Sequence, residues 1–136
     1  MKILVTGGAG YIGSVTAESL IQAGHSVTVY DSLVTGHRAA APDGVNFVEA
    51  DLADSHTLVE TFIKNKFDAV MHFAAFIEAG ESMKDPGRFY QNNFTNAITL
   101  AETAVRAGVK RFVLSSTAAV FQSSEEPLNE ESPLGP

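Results

Sequence analysis

The glycines between Thr6 and Gly13 have a spacing that could bind a phosphate. This segment contains the pattern Gly8-x-Gly10-x-x-Gly13, directly preceded by Gly7. Backbone amides of such a turn can approach a pyrophosphate, because glycine has no side chain, and the N-terminus of a following helix adds partial positive charge. Glycine turns also simply join strands to helices, so the spacing alone is compatible with a purely structural role.

An acidic residue at the expected distance favours the binding interpretation. Asp31 follows the glycine pattern by about 20 residues and ends the predicted second strand, as in dinucleotide-binding sequences. A carboxylate there can accept both ribose hydroxyls of an adenosine and repels a 2′-phosphate. The sequence therefore predicts a dinucleotide site that prefers NAD to NADP, although the basic residues His37 and Arg38 lie nearby.

Further candidates follow the third, fourth and fifth predicted strands. Asp51 could accept the amino group of an adenine, or it could cap its own loop. The small residues of Phe73-Ala74-Ala75 could let a cofactor lie against the backbone, or serve close helix packing. Ser115-Ser116-Thr117 places hydroxyls at the carboxyl edge of the sheet, where ligands of open α/β sheets bind, but such residues are also ordinary strand ends.

Two adjacent asparagines, Asn92 and Asn93, lie early in the long helix predicted after the fourth strand. Asparagine is a poor helix former. The pair therefore indicates a polar role facing a cofactor, with a solvated helix start as the alternative.

The elements that must position these residues alternate along the chain. Short apolar runs predict strands, and segments with three-to-four spacing predict helices between them. Strands separated by helices need crossover connections, which give a parallel sheet with helices on both faces. We predict an α/β, doubly wound, Rossmann-like fold with about five strands in the order 3-2-1-4-5. The predicted strands are Lys2–Thr6, Ser26–Tyr30, Val45–Glu49, Asp68–Phe73 and Arg111–Ser115.

Three helices are predicted between these strands. The first presents Ile12, Val15, Thr16, Leu20 and Ala23 on one face and ends at Gly24. The second is capped by Ser55, carries Leu58, Phe62 and Ile63 on one face, and runs to about residue 65. The third directs Ala97, Leu100, Ala101 and Ala104 inward and ends at Gly108.

Length and composition limit the class of protein. The chain has 136 residues, a net charge of −7 and no cysteine. We expect one nucleotide-binding domain over residues 1–121 and an acidic, proline-containing tail over residues 122–136. The negative charge argues against a nucleic-acid partner, and the N-terminal apolar run is too short for a signal peptide or a membrane span. Without cysteine and with four scattered histidines, neither disulfides nor a metal site is expected, and a cytoplasmic location is the default.

Together these segments resemble the extended short-chain dehydrogenase/reductase family, and within it the UDP-hexose 4-epimerases. The resemblance runs from residue 1 to about residue 134, and FAAFIEAGES is its most specific part. The resembling stretches are MKILVTGGAGYIG at 1–13, YDSLVTGHR at 30–38, HFAAFIEAGESMKDP at 72–86 and SSTAAV at 115–120.

The resemblance implies an NAD that oxidises C4 of a UDP-hexose and returns the hydride to the opposite face of the ketone, which interconverts UDP-glucose and UDP-galactose. It implies that Thr117 bonds the C4 oxygen of the substrate and helps to stabilise the developing alkoxide. It implies that Ser32, Leu33, Thr35 and Gly36 line the adenosine ribose. The other cofactor-binding residues that we expect are Gly7, Gly10, Tyr11, Ile12, Gly13, Asp31, Asp51, Leu52, Phe73, Ala74, Ala75, Asn92 and Ser115.

The sequence also departs from the family pattern. The proton-transfer pair of the family is a tyrosine with a lysine four residues later, and none of Tyr11, Tyr30 and Tyr90 has such a lysine. Phe121-Gln122 replaces a usual Tyr-Gly, while Asn96, Ser32 and Val15 replace a usual glycine, asparagine and histidine. We therefore expect either the NAD-binding front of a UDP-hexose 4-epimerase, without the catalytic and UDP-sugar-binding part, or a free-standing NAD-binding or oligomerising module that could form a homodimer.

Overall fold

A parallel five-stranded sheet forms the centre of the protein, in a computed structural model that describes residues 1–135. The strand order is β3-β2-β1-β4-β5, and every pair of neighbouring strands is parallel. This confirms the predicted Rossmann-like topology. The strands are β1 (Lys2–Thr6), β2 (Ser26–Asp31), β3 (Asn46–Glu49), β4 (Ala69–His72) and β5 (Arg111–Leu114).

Helices connect the strands as predicted, with additional short elements after β4. A π-helical turn (Gln91–Thr95) precedes α5, and 3-10 turns lie at Arg38–Ala40 and Ala118–Val120. The α-helices are α1 (Tyr11–Gln22), α2 (Ser55–Asn65), α3 (Ala79–Lys84), α4 (Pro86–Tyr90) and α5 (Asn96–Arg106).

Two apolar layers sandwich the sheet because successive side chains of a strand point to opposite faces. Ile3 and Val5 of β1 pack with Ala17 of α1 on one face. Leu4 packs on the other face, in a cluster that includes Leu58 of α2 and Leu100 of α5. Fully buried strands of this kind fix the position of the sheet edge at which the candidate residues lie.

The side chains that face the core differ from the prediction in two helices. In α1, Ile12 and Val15 are 58% and 51% exposed, and it is Gly13 and Ala17 that are buried. Small residues lie there because α1 runs close to β1 and the glycine turn. In α2, Ile63 is 69% exposed, since the cluster around Phe62 occupies the neighbouring side of the helix.

The N-terminal cap of α2 also differs from the prediction. Asp54, and not Ser55, is the cap residue, and its side chain accepts a hydrogen bond from the backbone amide of Thr57. The hydrogen bond that the Asp54 carboxylate accepts from the Thr57 hydroxyl lowers the pKa of this carboxyl, and the backbone hydrogen bond adds to the effect. Ser55 is the first residue of the helix.

The edge strand β5 is exposed on both faces. Phe112, Val113 and Leu114 are 40% to 60% exposed, and β5 pairs only with β4 among the described strands. The segment after it folds back on itself, with an antiparallel bridge between Phe121 and Leu134. Within residues 1–135, no helix has the length and apolar character needed to cross a membrane.

Candidate functional site

The glycine turn joins β1 to α1 and is held by backbone hydrogen bonds. Gly7 has a φ of +73° and donates its amide to the carbonyl of Tyr30 at 3.0 Å. The amide of Gly10 bonds back to the carbonyl of Gly7 at 3.1 Å. The turn is therefore closed by hydrogen bonds within its own backbone and to the backbone of β2.

Most glycines of this turn are required by packing. A Cβ on Gly7 would lie 2.6 Å from the amide nitrogen of Ala74, and one on Gly8 would lie 2.8 Å from the methyl carbons of Val29. A Cβ on Gly13 would overlap the carbonyl oxygen of Gly7. These three positions exclude any side chain through the fold itself.

Gly10 is different. A Cβ there would meet only the carbonyl oxygen of Gly7, at 3.3 Å, and otherwise points away from the protein. Gly10 is also the N-cap of α1, where no side chain caps the helix and no acidic residue lies in the first turn. The free amides and the partial positive charge of this helix end suit an anionic group. Tyr11 and Ile12, both exposed, flank the same helix end.

Asp31 connects the glycine turn to the loop that follows β2. The residue is only 9% exposed. One carboxylate oxygen accepts the amide of Ala9 at 2.9 Å, and the other accepts the amide of Leu33 at 2.8 Å. An ionised carboxylate has about four acceptor positions, so two are still available to ribose hydroxyls.

The loop from Ser32 to Gly36 lies against the glycine turn. The amide of His37 bonds to the carbonyl of Ala9 at 3.0 Å, and a Cβ on Gly36 would be 3.0 Å from both Ala9 and Asp31. Leu33, whose amide donates to Asp31, has a φ of +58°. Ser32 and Leu33 are half-buried, whereas Thr35 is exposed. The nearby guanidinium of Arg38 is 4.1 Å above the ring of Phe47 on β3.

A cleft of about 280 Å³ opens beside this loop. It contains two of the predicted site residues, Asp51 and Asn92. Its other lining residues are Val34, Ala53, Phe76, Arg88, Gln91 and Asn96. The lining combines an apolar wall with side-chain amides, one carboxylate and the guanidinium group of Arg88, and this combination suits a flat heteroaromatic ring with polar edges.

Of the two roles predicted for Asp51, the structure shows the loop cap. One oxygen of its carboxylate accepts the amide of Ala53 at 2.8 Å, so the residue caps its own loop while it lines the cleft. Leu52 is buried in the core beneath. The carbonyl of Asp51 accepts the hydroxyl of Tyr30 at 3.1 Å. Burial, with smaller contributions from the charges of Asp54 and Asp51, raises the pKa of Tyr30 well above its ordinary value, so Tyr30 is not suited to proton transfer.

The ends of β4 and β5 complete the edge of the sheet. Phe73 donates its amide to the carbonyl of Thr6 at 3.0 Å, and Ala74 lies against Gly7. The exposed Ala75 follows. Ser115 donates its amide to the carbonyl of His72 at 3.0 Å, and the hydroxyl of Thr117 accepts the amide of Ala119 at 3.1 Å. Both hydroxyl residues are exposed beyond β5.

Several residues of the cleft were not identified from the sequence. Phe76 lies in the FAAFIEAGES stretch that carries the resemblance, and Arg88 lies just beyond residue 86, but neither residue was assigned a role from the sequence. Asn96 is buried at the start of α5, where it accepts the side-chain amide of Gln91 at 3.1 Å. The only sequence feature that singled out Asn96 was that it replaces a glycine usual in the family.

One pair beneath the sheet edge predicts a pH-dependent stability. Nδ1 of the buried His72 lies 2.6 Å from Oγ1 of Thr6, and burial lowers the pKa of His72 below its ordinary value. The unfolded chain therefore binds a proton more readily than the folded chain, so stability is complete above a pH of about 6.5 and declines as the pH falls below it.

Urea unfolding between pH 8 and pH 5.5 measures this effect. We expect the free energy of unfolding to fall below about pH 6.5, and to fall less in His72→Asn, which cannot gain the proton. The exposed His37 supplies the matched control, and His37→Asn should keep the wild-type slope. An equal slope in all three proteins would show that His72 does not cause the decline.

The chain is similar to known proteins over its whole length. The NAD dependent epimerase/dehydratase family matches residues 3–136. The UDP-glucose 4-epimerase of Lacticaseibacillus casei is 44% identical over 137 residues, which cover 100% of this chain and 41% of that protein. The UDP-glucose 4-epimerase of Streptococcus mutans serotype c is 47% identical over 139 residues, covering 100% of this chain and 42% of that protein.

Solved structures agree with these sequence matches. The UDP-glucose 4-epimerase of Thermus thermophilus, in complex with NAD, superposes with a TM-score of 0.89 at 36% identity, and the match covers 100% of this chain and 45% of that one. The chain thus spans about two-fifths of the length of the relatives that it matches.

Proposed function

Because this chain belongs to the NAD dependent epimerase/dehydratase family, we propose that it binds NAD along the carboxyl edge of its sheet as the cofactor-binding part of a UDP-hexose 4-epimerase. The reaction proposed for the longer protein interconverts UDP-glucose and UDP-galactose through a 4-keto intermediate and transient NADH. The relatives are UDP-glucose 4-epimerases, which supports this reaction. The residues of the candidate site support NAD as the cofactor.

The open face of Gly10 carries the cofactor proposal. Gly10 is the one position of the glycine pattern where the fold leaves room for a side chain, and it lies at an uncapped helix end with no acidic residue in its first turn. A diphosphate placed there can accept backbone amides and benefit from the helix dipole. This supports binding over the alternative of a purely structural turn.

We assign the remaining candidate residues to the other parts of the cofactor. We place the adenosine ribose at Asp31, whose carboxylate is held by Ala9 and Leu33. We place the adenine in the cleft beside Asp51 and Asn92. The diphosphate then lies over Gly10, and the rest of the cofactor extends towards Phe73–Ala75 and Ser115 at the ends of β4 and β5.

Thr117 is proposed to hydrogen-bond the C4 oxygen of the sugar. Its hydroxyl is exposed beyond β5 and already accepts one backbone amide, which fixes its orientation. A threonine hydroxyl is too weak a base to take the C4 proton, so it orients the substrate and stabilises developing charge. The proton-transfer pair that the resemblance implies has no counterpart among Tyr11, Tyr30 and Tyr90.

The alternative of a non-catalytic module has no observation in its favour beyond those that support NAD binding. A homodimer and a cytoplasmic location stay part of the proposal. The apolar side chains of β5 offer a surface that either a second copy or a further part of a longer chain can cover.

Calorimetric titration of the 136-residue chain with NAD and NADP tests the cofactor proposal. We expect NAD to bind at least about tenfold more tightly than NADP, a difference of about 1.4 kcal/mol, since the Asp31 carboxylate repels a 2′-phosphate. Binding of neither dinucleotide would refute the cofactor proposal. Equal binding of the two would refute the selectivity assigned to Asp31.

A further inference from the structure

The side chain of Asn93 bonds both backbone polar groups of Phe76. Oδ1 of Asn93 accepts the amide of Phe76 at 2.8 Å, and Nδ2 of Asn93 donates to the carbonyl of Phe76 at 2.8 Å. A side-chain amide that pairs in this way makes the two hydrogen bonds that a neighbouring strand would make to one residue of a sheet. The contact joins two segments that are 17 residues apart.

The π-helical turn at Gln91–Thr95 presents this side chain. Wider helical turns of this type often lie at functional sites, because they shift side chains away from the positions of a regular helix. Here the side-chain amide of Asn92 donates to Oδ1 of Asn93 at 2.8 Å. Asn93 is thus bonded at once to Asn92, which lines the nucleotide cleft, and to Phe76, which lines it from the loop after β4.

The ring of Phe76 is fixed independently of its backbone. The guanidinium of Arg88 lies 4.5 Å from the ring centroid, and the ring of Phe89 packs against it with centroids 5.6 Å apart. These contacts hold the ring, whereas the backbone of Phe76 needs partners of its own because it belongs to no strand or helix. Asn93 supplies the two hydrogen bonds that hold it.

We propose that Asn93 is a positioning residue of the nucleotide cleft, which holds Phe76 and Asn92 in place for the adenine end of the cofactor. Without its side chain, the polar groups of Phe76 bond water and the loop samples other conformations. Binding then has to order the loop, which reduces affinity. This inference rests on the proposed NAD site, whereas the contact between Asn93 and Phe76 does not.

Two measurements on Asn93→Ala test the proposal. We expect the dissociation constant for NAD to rise roughly tenfold, which is about 1.4 kcal/mol. We also expect the backbone amide of Phe76 to lose its protection from hydrogen exchange, while the amides of α5 keep theirs.

Asn65→Ala is the matched control. Asn65 ends α2 away from the cleft, and its side-chain amide donates one hydrogen bond, to the carbonyl of Thr61 at 2.9 Å. This variant should bind NAD as the wild type does, even where its melting temperature falls as far as that of Asn93→Ala. Wild-type NAD affinity in Asn93→Ala, or an equal loss in both variants, would overturn the positioning role.

The exchange measurement separates this inference from the proposed function. Should the wild-type chain not bind NAD, the proposed function fails, and protection at Phe76 still decides whether Asn93 holds the loop. Unchanged protection at Phe76 in Asn93→Ala would overturn the inference while the cofactor proposal stands.

Discussion

Replacing Gly10 with valine should remove NAD binding and leave the fold intact. A Cβ at this position has one neighbour within 4 Å, the carbonyl oxygen of Gly7 at 3.3 Å, so we expect a shift of a few tenths of an ångström in the turn to accommodate it. The branched side chain then occupies the space in which we place the diphosphate, and it covers the free amides of the α1 N-terminus. We expect affinity to fall by more than about a hundredfold, or about 2.8 kcal/mol.

Calorimetry and circular dichroism on the same sample measure the two effects separately. Gly80→Val is the matched control, since a Cβ on Gly80 meets no atom within 4 Å and adds the same bulk to an exposed helix. Gly13→Val should behave differently from both, because its Cβ overlaps the carbonyl oxygen of Gly7 and disrupts the turn. If Gly10→Val unfolds the chain, the glycine is structural and our assignment of the diphosphate is wrong.

Asp31→Ala should reduce the affinity for NAD by about ten- to a hundredfold, which is about 1.4–2.8 kcal/mol. The substitution removes the acceptor proposed for the ribose hydroxyls. It also leaves the buried amide of Ala9 and the amide of Leu33 without their carboxylate partner. Since an unsatisfied buried donor costs about 1–3 kcal/mol, the free energy of unfolding should fall as well.

The change in selectivity distinguishes the ribose contact from a general loss of stability. Loss of the carboxylate removes its repulsion of a 2′-phosphate, so the preference for NAD over NADP should shrink towards equality. Asp43→Ala is the control, because it removes an equal charge from an exposed aspartate in the loop before β3. An Asp31→Ala protein that keeps its wild-type preference would exclude Asp31 as the selectivity residue.

The strand order, and the residues at the strand ends, followed from the sequence alone. Buried parallel strands need continuous apolar runs, and crossover helices need apolar faces, so Ile3–Val5 and Leu100 could be assigned without coordinates. Glycine spacing and the distance to Asp31 likewise express local geometry that any such turn must adopt. The structure confirms the predicted strand order 3-2-1-4-5.

The irregular segment after β4 could not be predicted in this way. Its short helices and π-helical turn have no strong periodicity, and their positions depend on contacts with distant residues such as the bonds from Asn93 to Phe76. The exposed side chains of Ile12 and Ile63 were likewise not predicted. Apolar spacing identifies a helix, but it does not show which part of the apolar surface packs against the core.

The sequence by itself determined the parallel sheet and the family to which the chain belongs, because these depend on local periodicity and short motifs. Only the tertiary structure decided which glycine has open space beside it and which residues line the cleft. Gly8 and Gly10 are both glycines of the same sequence pattern, and the sequence alone does not distinguish them. They differ because Val29 of a neighbouring strand fills the space beside Gly8, while the space beside Gly10 stays open.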